Sequence, residues 1–69
     1  MKVFHTGDMV TWHSSGTTGT GQIKRVITQD TVINNSTIHA SDEEPQYLVR
    51  NSHSGNFAIH TSASLEKHS

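Results

Sequence analysis

The apolar positions of this chain recur at short range and change period often, which predicts a series of brief strands. Residues 9–13 alternate, with Val10 and Trp12 on one face and Met9, Thr11 and His13 on the other. The expected inward pair is Val10 and Trp12. Gly7-Asp8 is a turn at the mouth of that strand. Residues 14–21 are rich in Gly, Ser and Thr, and they read as a loose turn longer than a two-residue hairpin loop. Residues 21–28 form the strongest strand pattern. Ile23 and Val26 are three apart, so a β-bulge between them is needed to turn both inward and bend the strand. Gly21 at its entry suits a sharply bent strand.

The pattern then weakens. Residues 31–33 and 37–39 flank Asn34-Asn35-Ser36, which predicts a small hairpin or β-extension, closed by an acidic turn at Asp42-Glu43-Glu44-Pro45. Residues 46–51 alternate again, with Tyr47 and Val49 on one face. Residues 52–55 make a hairpin turn, and residues 56–61 return with Phe57 and Ile59 as the expected inward pair. Residues 62–65 suggest one helical turn with Ser62 as its cap and Leu65 as a plug. Residues 66–69 read as a polar tail, and residues 1–6 as a lead-in whose Phe4 packs over an open end of the core. Closely spaced short strands with one excursion predict a single all-β domain over residues 1–69, a small barrel.

Composition narrows this picture. At 69 residues and 30% hydrophobic content, the core must be thin, and a barrel so small is a candidate for homo-oligomerisation. The absence of cysteine removes disulfides, thiolate metal sites and a cysteine nucleophile. No apolar run matches a signal-peptide core or a membrane span, so the expected compartment is the cytoplasm, with no membrane partner. A net charge of −1 argues against strong non-specific nucleic-acid binding.

Three blocks together carry a resemblance. They are Gly7-Asp8-x-Val10-x-Trp12 with Gly19 and Gly21, then Ala40-Ser41-Asp42-x-x-Pro45-x-Tyr47-x-Val49, then Ala58-x-His60-x-Ser62-Ala63-x-Leu65. They resemble the hypervirulence-associated protein Tudor domain family across nearly the whole chain. The resemblance implies a five-stranded Tudor-like barrel of the Src-homology-3 type. It implies little chemistry, since members of the family are mostly of unknown biochemical function; the expected class is a non-enzymatic binding or interaction module with no cofactor and no catalytic residue. The Gly-Asp-x-Val and Gly-x-Ile pieces are also similar to KOW-type nucleic-acid-binding barrels. A third similarity is to type II dihydrofolate reductases, which work as tetramers. Their active-site strand reads Val-Gln-Ile-Tyr, whereas Phe57-Ala58-Ile59-His60 stands here and lacks both the glutamine and the tyrosine.

Candidate chemistry follows from these alternatives. Tudor domains that read methylated lysine or arginine use a cage of aromatic faces. Trp12, Tyr47 and Phe57 are the candidates, with His60 able to hydrogen-bond across the barrel end. All three aromatics fall on faces assigned inward, so a core role competes with a ligand role. For nucleic acid, Lys24, Arg25 and Arg50 with an aromatic would form a small stacking and phosphate surface. Six histidines are many for this length, but no two lie closer than seven residues, so no metal motif is present. The glycine-rich stretch lacks Gly-Lys-Ser/Thr and a following helix, which excludes a phosphate loop. No nucleophile-elbow context occurs. The expected partner is a protein or peptide, bound at an exposed edge or aromatic groove, with nucleic acid as the alternative.

Overall fold

A computed structural model describes residues 3–14 and 16–68; residues 1, 2, 15 and 69 lie outside the description, and with them the ends of the expected lead-in and tail. The chain is all-β. β1 (Met9–Ser14), β2 (Thr17–Ile27), β5 (Gln46–Asn51), β6 (Phe57–Thr61) and the two-residue β7 (Glu66–Lys67) form one antiparallel sheet in the order β6-β5-β2-β1-β7. β3 (Thr31–Ile33) and β4 (Ser36–Ile38) form a separate hairpin, and a 3-10 turn covers Ser62–Ser64. Among the described residues, no helix is long and apolar enough to cross a membrane.

The sheet coils without closing: among the described residues, β6 and β7 are its two free edges. Strands lie about 4.8 Å apart, so β6 and β1 would be about 14 Å apart if the sheet were flat. Instead the rings of Trp12 on β1 and His60 on β6 have centroids only 4.8 Å apart. The bend that permits this is in β2. Ile23 pairs with Val49 and Arg25 with Leu48, so the register slips by one residue at Lys24. This is the expected bulge, and it keeps Ile23 buried while Val26 packs half-buried against the core.

The core is Phe4, Val10, Trp12, Ile23, Tyr47, Val49 and Leu65. Phe4 meets Tyr47 edge-on at 5.4 Å, and its backbone N–H donates to the Tyr47 hydroxyl at 3.4 Å. Burial of the Tyr47 oxygen is thereby matched by a hydrogen bond. Leu65 is fully buried beyond the 3-10 turn, as its role as plug requires. The Gly7-Asp8 block is structural. Gly7 has φ 96°, its N–H donates to the Ile23 carbonyl at 2.8 Å, and Ile23 N–H donates back to the Asp8 carbonyl at 2.9 Å.

Several expectations are corrected. The segment 14–21 is mostly strand: Ser14 pairs with Thr17, and β2 runs on from there. Gly16 keeps the expected turn role with φ 80°, whereas Gly19 and Gly21 serve close approach. A Cβ on Gly19 would overlap the Trp12 indole, and one on Gly21 would overlap the Arg50 carbonyl oxygen. Residues 66–67 are paired, Val10 with Lys67 and Thr11 with Glu66, so the tail begins by extending the sheet. Thr61 rather than Ser62 stands at the N-cap of the 3-10 turn, and no side chain caps its N–H groups. The excursion is a two-residue hairpin, Ile33 pairing with Ser36, with Asn34 (φ 51°) and Asn35 (φ 66°) both left-handed. That is the type I′ geometry, for which asparagine is well suited.

Candidate functional site

The aromatic candidates divide between the two faces of the sheet, so they form no cage. Trp12 and Tyr47 are core residues, 8% and 1% exposed, while Phe57 is 57% exposed on the opposite face. Phe57 was expected inward because it is larger than its alternates Ala58 and His60. Alternation alone fixes which residues share a face, not which face is buried. The hairpin register decides it. Val49 is buried and pairs with Ala58, so Arg50 and its partner Phe57 point outward together.

The β5–β6 turn sets that register. Asn51 Oδ1 accepts from the N–H groups of His53 (2.8 Å) and Ser54 (3.1 Å), and Gly55 takes φ 79°. Gly55 N–H donates to the Asn51 carbonyl, and Asn51 N–H donates to the Asn56 carbonyl, both at 2.8 Å. Left-handed Gly55 is thus the bulge residue that closes the hairpin.

Ladder bonds in an antiparallel pair alternate between hydrogen-bonded and non-hydrogen-bonded partners. Counting from Asn51 and Asn56, the bonded pairs are Val49 with Ala58 and Tyr47 with His60. Phe57 and Ile59 occupy the other set, so their N–H and C=O groups face away from β5. No strand of the described residues pairs there. This open edge is a candidate site made of backbone, of the exposed-edge kind that the sequence leads one to expect.

His60 faces inward opposite Tyr47 and tilts 31° against Trp12. The expected hydrogen bond across the barrel end is not made: Nε2 is buried and has no hydrogen-bond partner. Burial therefore lowers the His60 pKa from its ordinary 6.5. The indole edge of Trp12 reaches a polar cleft of about 550 Å³ lined also by Gly19, Thr20, Asn51 and His53. It shows no open ring face on which a cation would sit, because the indole lies over Gly19 on one flank and against His60 on another.

The basic candidates share one face. The row Met9–Gln22–Arg50–Phe57 crosses four strands in register, and Arg25, Leu48 and Ile59 form the next row. Lys24, at the bulge, donates through Nζ to Gln22 Oε1 at 2.7 Å, and Arg50 Nε donates to the Gly55 carbonyl at 3.4 Å. Lys24 and Arg50 line one cleft of about 280 Å³, to which no carboxylate contributes. The acids gather elsewhere. Glu43 and Glu44 share a cleft of about 310 Å³ with Gln46, Thr61 and Ser62, at the far end of β6.

Among the described residues, no three His, Asp or Glu side chains are grouped to hold a metal ion. His5 lies 3.8 Å from the half-buried Asp8, and His39 lies 3.5 Å from the exposed Asp30, as separate pairs.

Comparison with known proteins gives one match. The family described as Hypervirulence associated proteins TUDOR domain matches residues 7–65, most of the chain. No curated protein and no solved structure matches.

Proposed function

Because the chain belongs to the hypervirulence-associated protein TUDOR domain family, a domain of the interaction type, we propose that it binds an extended protein segment along the free edge of β6. The observation that carries this reading is the outward-facing backbone of Phe57 and Ile59. A segment pairing there gains main-chain hydrogen bonds, and Phe57 beside it offers exposed apolar surface. Exposed edges are normally blunted by charge, proline or a covering element. β6 carries no Lys, Arg, Asp, Glu or Pro.

A non-enzymatic role fits the same strand. Ala58 and His60 stand where the reductase pattern needs glutamine and tyrosine. The cytoplasm is the compartment in which we place this module.

Ile59→Pro tests the edge directly. Ile59 N–H points away from the ladder, so proline removes the outward donor and leaves the pairing with β5 intact. Peptides selected on the wild-type domain should lose at least tenfold in affinity for the variant, with an unchanged circular dichroism spectrum. Equal binding to Ile59→Pro overturns the reading. So does concentration-dependent dimerisation that Ile59→Pro abolishes, since the edge would then serve a second copy of this chain.

Nucleic acid is the second reading, favoured by Lys24, Arg25 and Arg50 exposed on one face with Phe57. It predicts oligonucleotide binding that weakens steeply with salt and with Arg50→Glu. One exposed aromatic is a small platform for successive bases, and an oligonucleotide leaves the β6 backbone groups unpaired.

A further inference from the structure

We infer that the segment taken up by β6 is charge-split, with an acidic half over the Phe57 end and a basic half over the Thr61 end. This rests on the edge reading above and names the chemistry of its ligand. The inference comes from the polarity of the edge. At one end Phe57 pairs directly with Arg50, whose neighbour in the cleft is Lys24. At the other end Thr61 pairs with Gln46, and the cleft there is lined by Glu43 and Glu44. All four charged side chains are exposed, and none of them is ion-paired within the chain among the described residues.

The two ends are separated enough to act independently. Gln46 and Arg50 are four residues apart on β5, about 13 Å along the strand. That exceeds the Debye length of about 8 Å at physiological salt, so the acidic turn does not cancel the basic end. A strand added to β6 lies two strand spacings from β5, about 9.6 Å. The length of an arginine side chain, together with that of a glutamate reaching back over Phe57, spans this gap. The middle of the edge is Ala58 to His60, which asks only for a strand-forming, uncharged centre.

Chain direction follows as well. Antiparallel pairing is slightly the more stable per residue. The ligand then runs opposite to β6, with its N-terminal half at Thr61 and its C-terminal half at Phe57. The expected pattern is basic residues first, then three or four β-branched or small polar residues, then acidic residues.

A fluorescence-anisotropy titration with four designed peptides tests this at low and physiological salt. One carries two lysines, a Val-Thr-Val centre and two glutamates; the second reverses the charge order; the third is all acidic; the fourth is uncharged. The first should bind the wild-type domain about five- to tenfold more tightly than the uncharged one, the yield expected of a few exposed ion pairs. Reversing both ends, with Lys24→Glu and Arg50→Glu at one and Glu43→Lys and Glu44→Lys at the other, should invert the preference between the first two peptides.

Failure modes separate. If Ile59→Pro weakens all four peptides equally and charge order has no effect, the edge reading stands and the charge-split inference falls. If charge order matters equally in Ile59→Pro, the edge reading falls and takes the inference with it. If the all-acidic peptide and single-stranded oligonucleotides both outcompete the first peptide, the basic face alone is the site, and the inference is overturned.

Discussion

The glycines opposite Trp12 make the sharpest stability prediction, because two neighbouring glycines should fail for different reasons. Gly19 sits directly across from Trp12 in the β1–β2 ladder, and a Cβ there would overlap the indole. The indole is a movable side chain, so the cost of Gly19→Ala is one of overpacking, typically about 1–3 kcal/mol. Part is offset, since replacing glycine within a strand recovers about 0.5–1 kcal/mol of chain entropy. The net expectation is a loss of about 1–2 kcal/mol. Gly21→Ala meets the Arg50 backbone carbonyl, and then Trp12 Cη2 and Val49 Cγ1 at 2.9 Å each. Backbone cannot yield without parting β2 from β5, so the loss should exceed about 3 kcal/mol. A chain of 69 residues has about 3–10 kcal/mol in total, which puts Gly21→Ala near the limit of folding. Urea denaturation followed by far-ultraviolet circular dichroism reads both. Trp12→Phe supplies the control: in its background Gly19→Ala should cost at least about 0.5 kcal/mol less, a coupling expected only of groups in contact, and Gly21→Ala should not be rescued. Additive behaviour of Gly19→Ala with Trp12→Phe, or equal tolerance of the two alanines, refutes the close-approach account.

Two further predictions concern His60 and the β3–β4 turn. Burial lowers the His60 pKa in the folded chain below its ordinary 6.5, so the unfolded chain takes up the proton first. The contribution of His60 is therefore intact above about pH 6.5 and is lost as pH falls toward its folded pKa. His60→Phe keeps a ring against Trp12 and should flatten that part of the stability–pH curve in urea melts. An unchanged slope would mean that His60 is solvated in the fold. At the β3–β4 turn both asparagines are left-handed, so Asn35→Gly creates the preferred Asn-Gly pair and should raise stability by about 0.5 kcal/mol, or roughly 2–4 °C in melting temperature. Asn35→Val should lower it, and a melt in which both variants fall together would contradict the turn assignment.

What was legible in the sequence was mostly what one strand decides for itself. The inward pair Val10 and Trp12, the offset of Ile23 and Val26, the strand at 46–51 and the plug at Leu65 all follow from local apolar spacing. The misreadings share a different cause, a dependence on a partner strand. Residues 17–21 look like turn because glycine and threonine are common in turns. They are strand because they pair with residues 10–14 of β1, and glycine stands at 19 and 21 because Trp12 and the Arg50 carbonyl leave no room for a side chain there. Residues 66–67 look like tail because they are polar, and pair because β1 offers an edge. Phe57 looks like core because it is aromatic, and is turned out by a register set in the preceding turn by Asn51 and Gly55. The cationic candidates Lys24, Arg25 and Arg50 do come together on one face, whereas the aromatic candidates Trp12, Tyr47 and Phe57 do not.

The stacking of Trp12 on His60 links the interior to the edge where a partner is expected. β6 is bonded to the sheet only through β5, so its position relative to β1 depends on what crosses the core. His60 and Trp12 make that crossing at 4.8 Å, and the room for the indole is provided by Gly19 and Gly21. Residues on either side of His60, namely Ile59 and Thr61, face the opposite way and belong to the free edge. The same short strand therefore buries one side chain for the fold and leaves its alternate backbone groups for pairing. Gly7, Trp12, Gly19, Gly21, Tyr47 and His60, drawn from the three blocks that carry the family resemblance, then serve to build and position that edge. Arg50, Phe57, Glu43 and Glu44, to which we assign the ligand contacts, stand outside those positions and are not part of the core. An edge positioned by the core in this way can take its specificity from exposed side chains that the fold itself does not need.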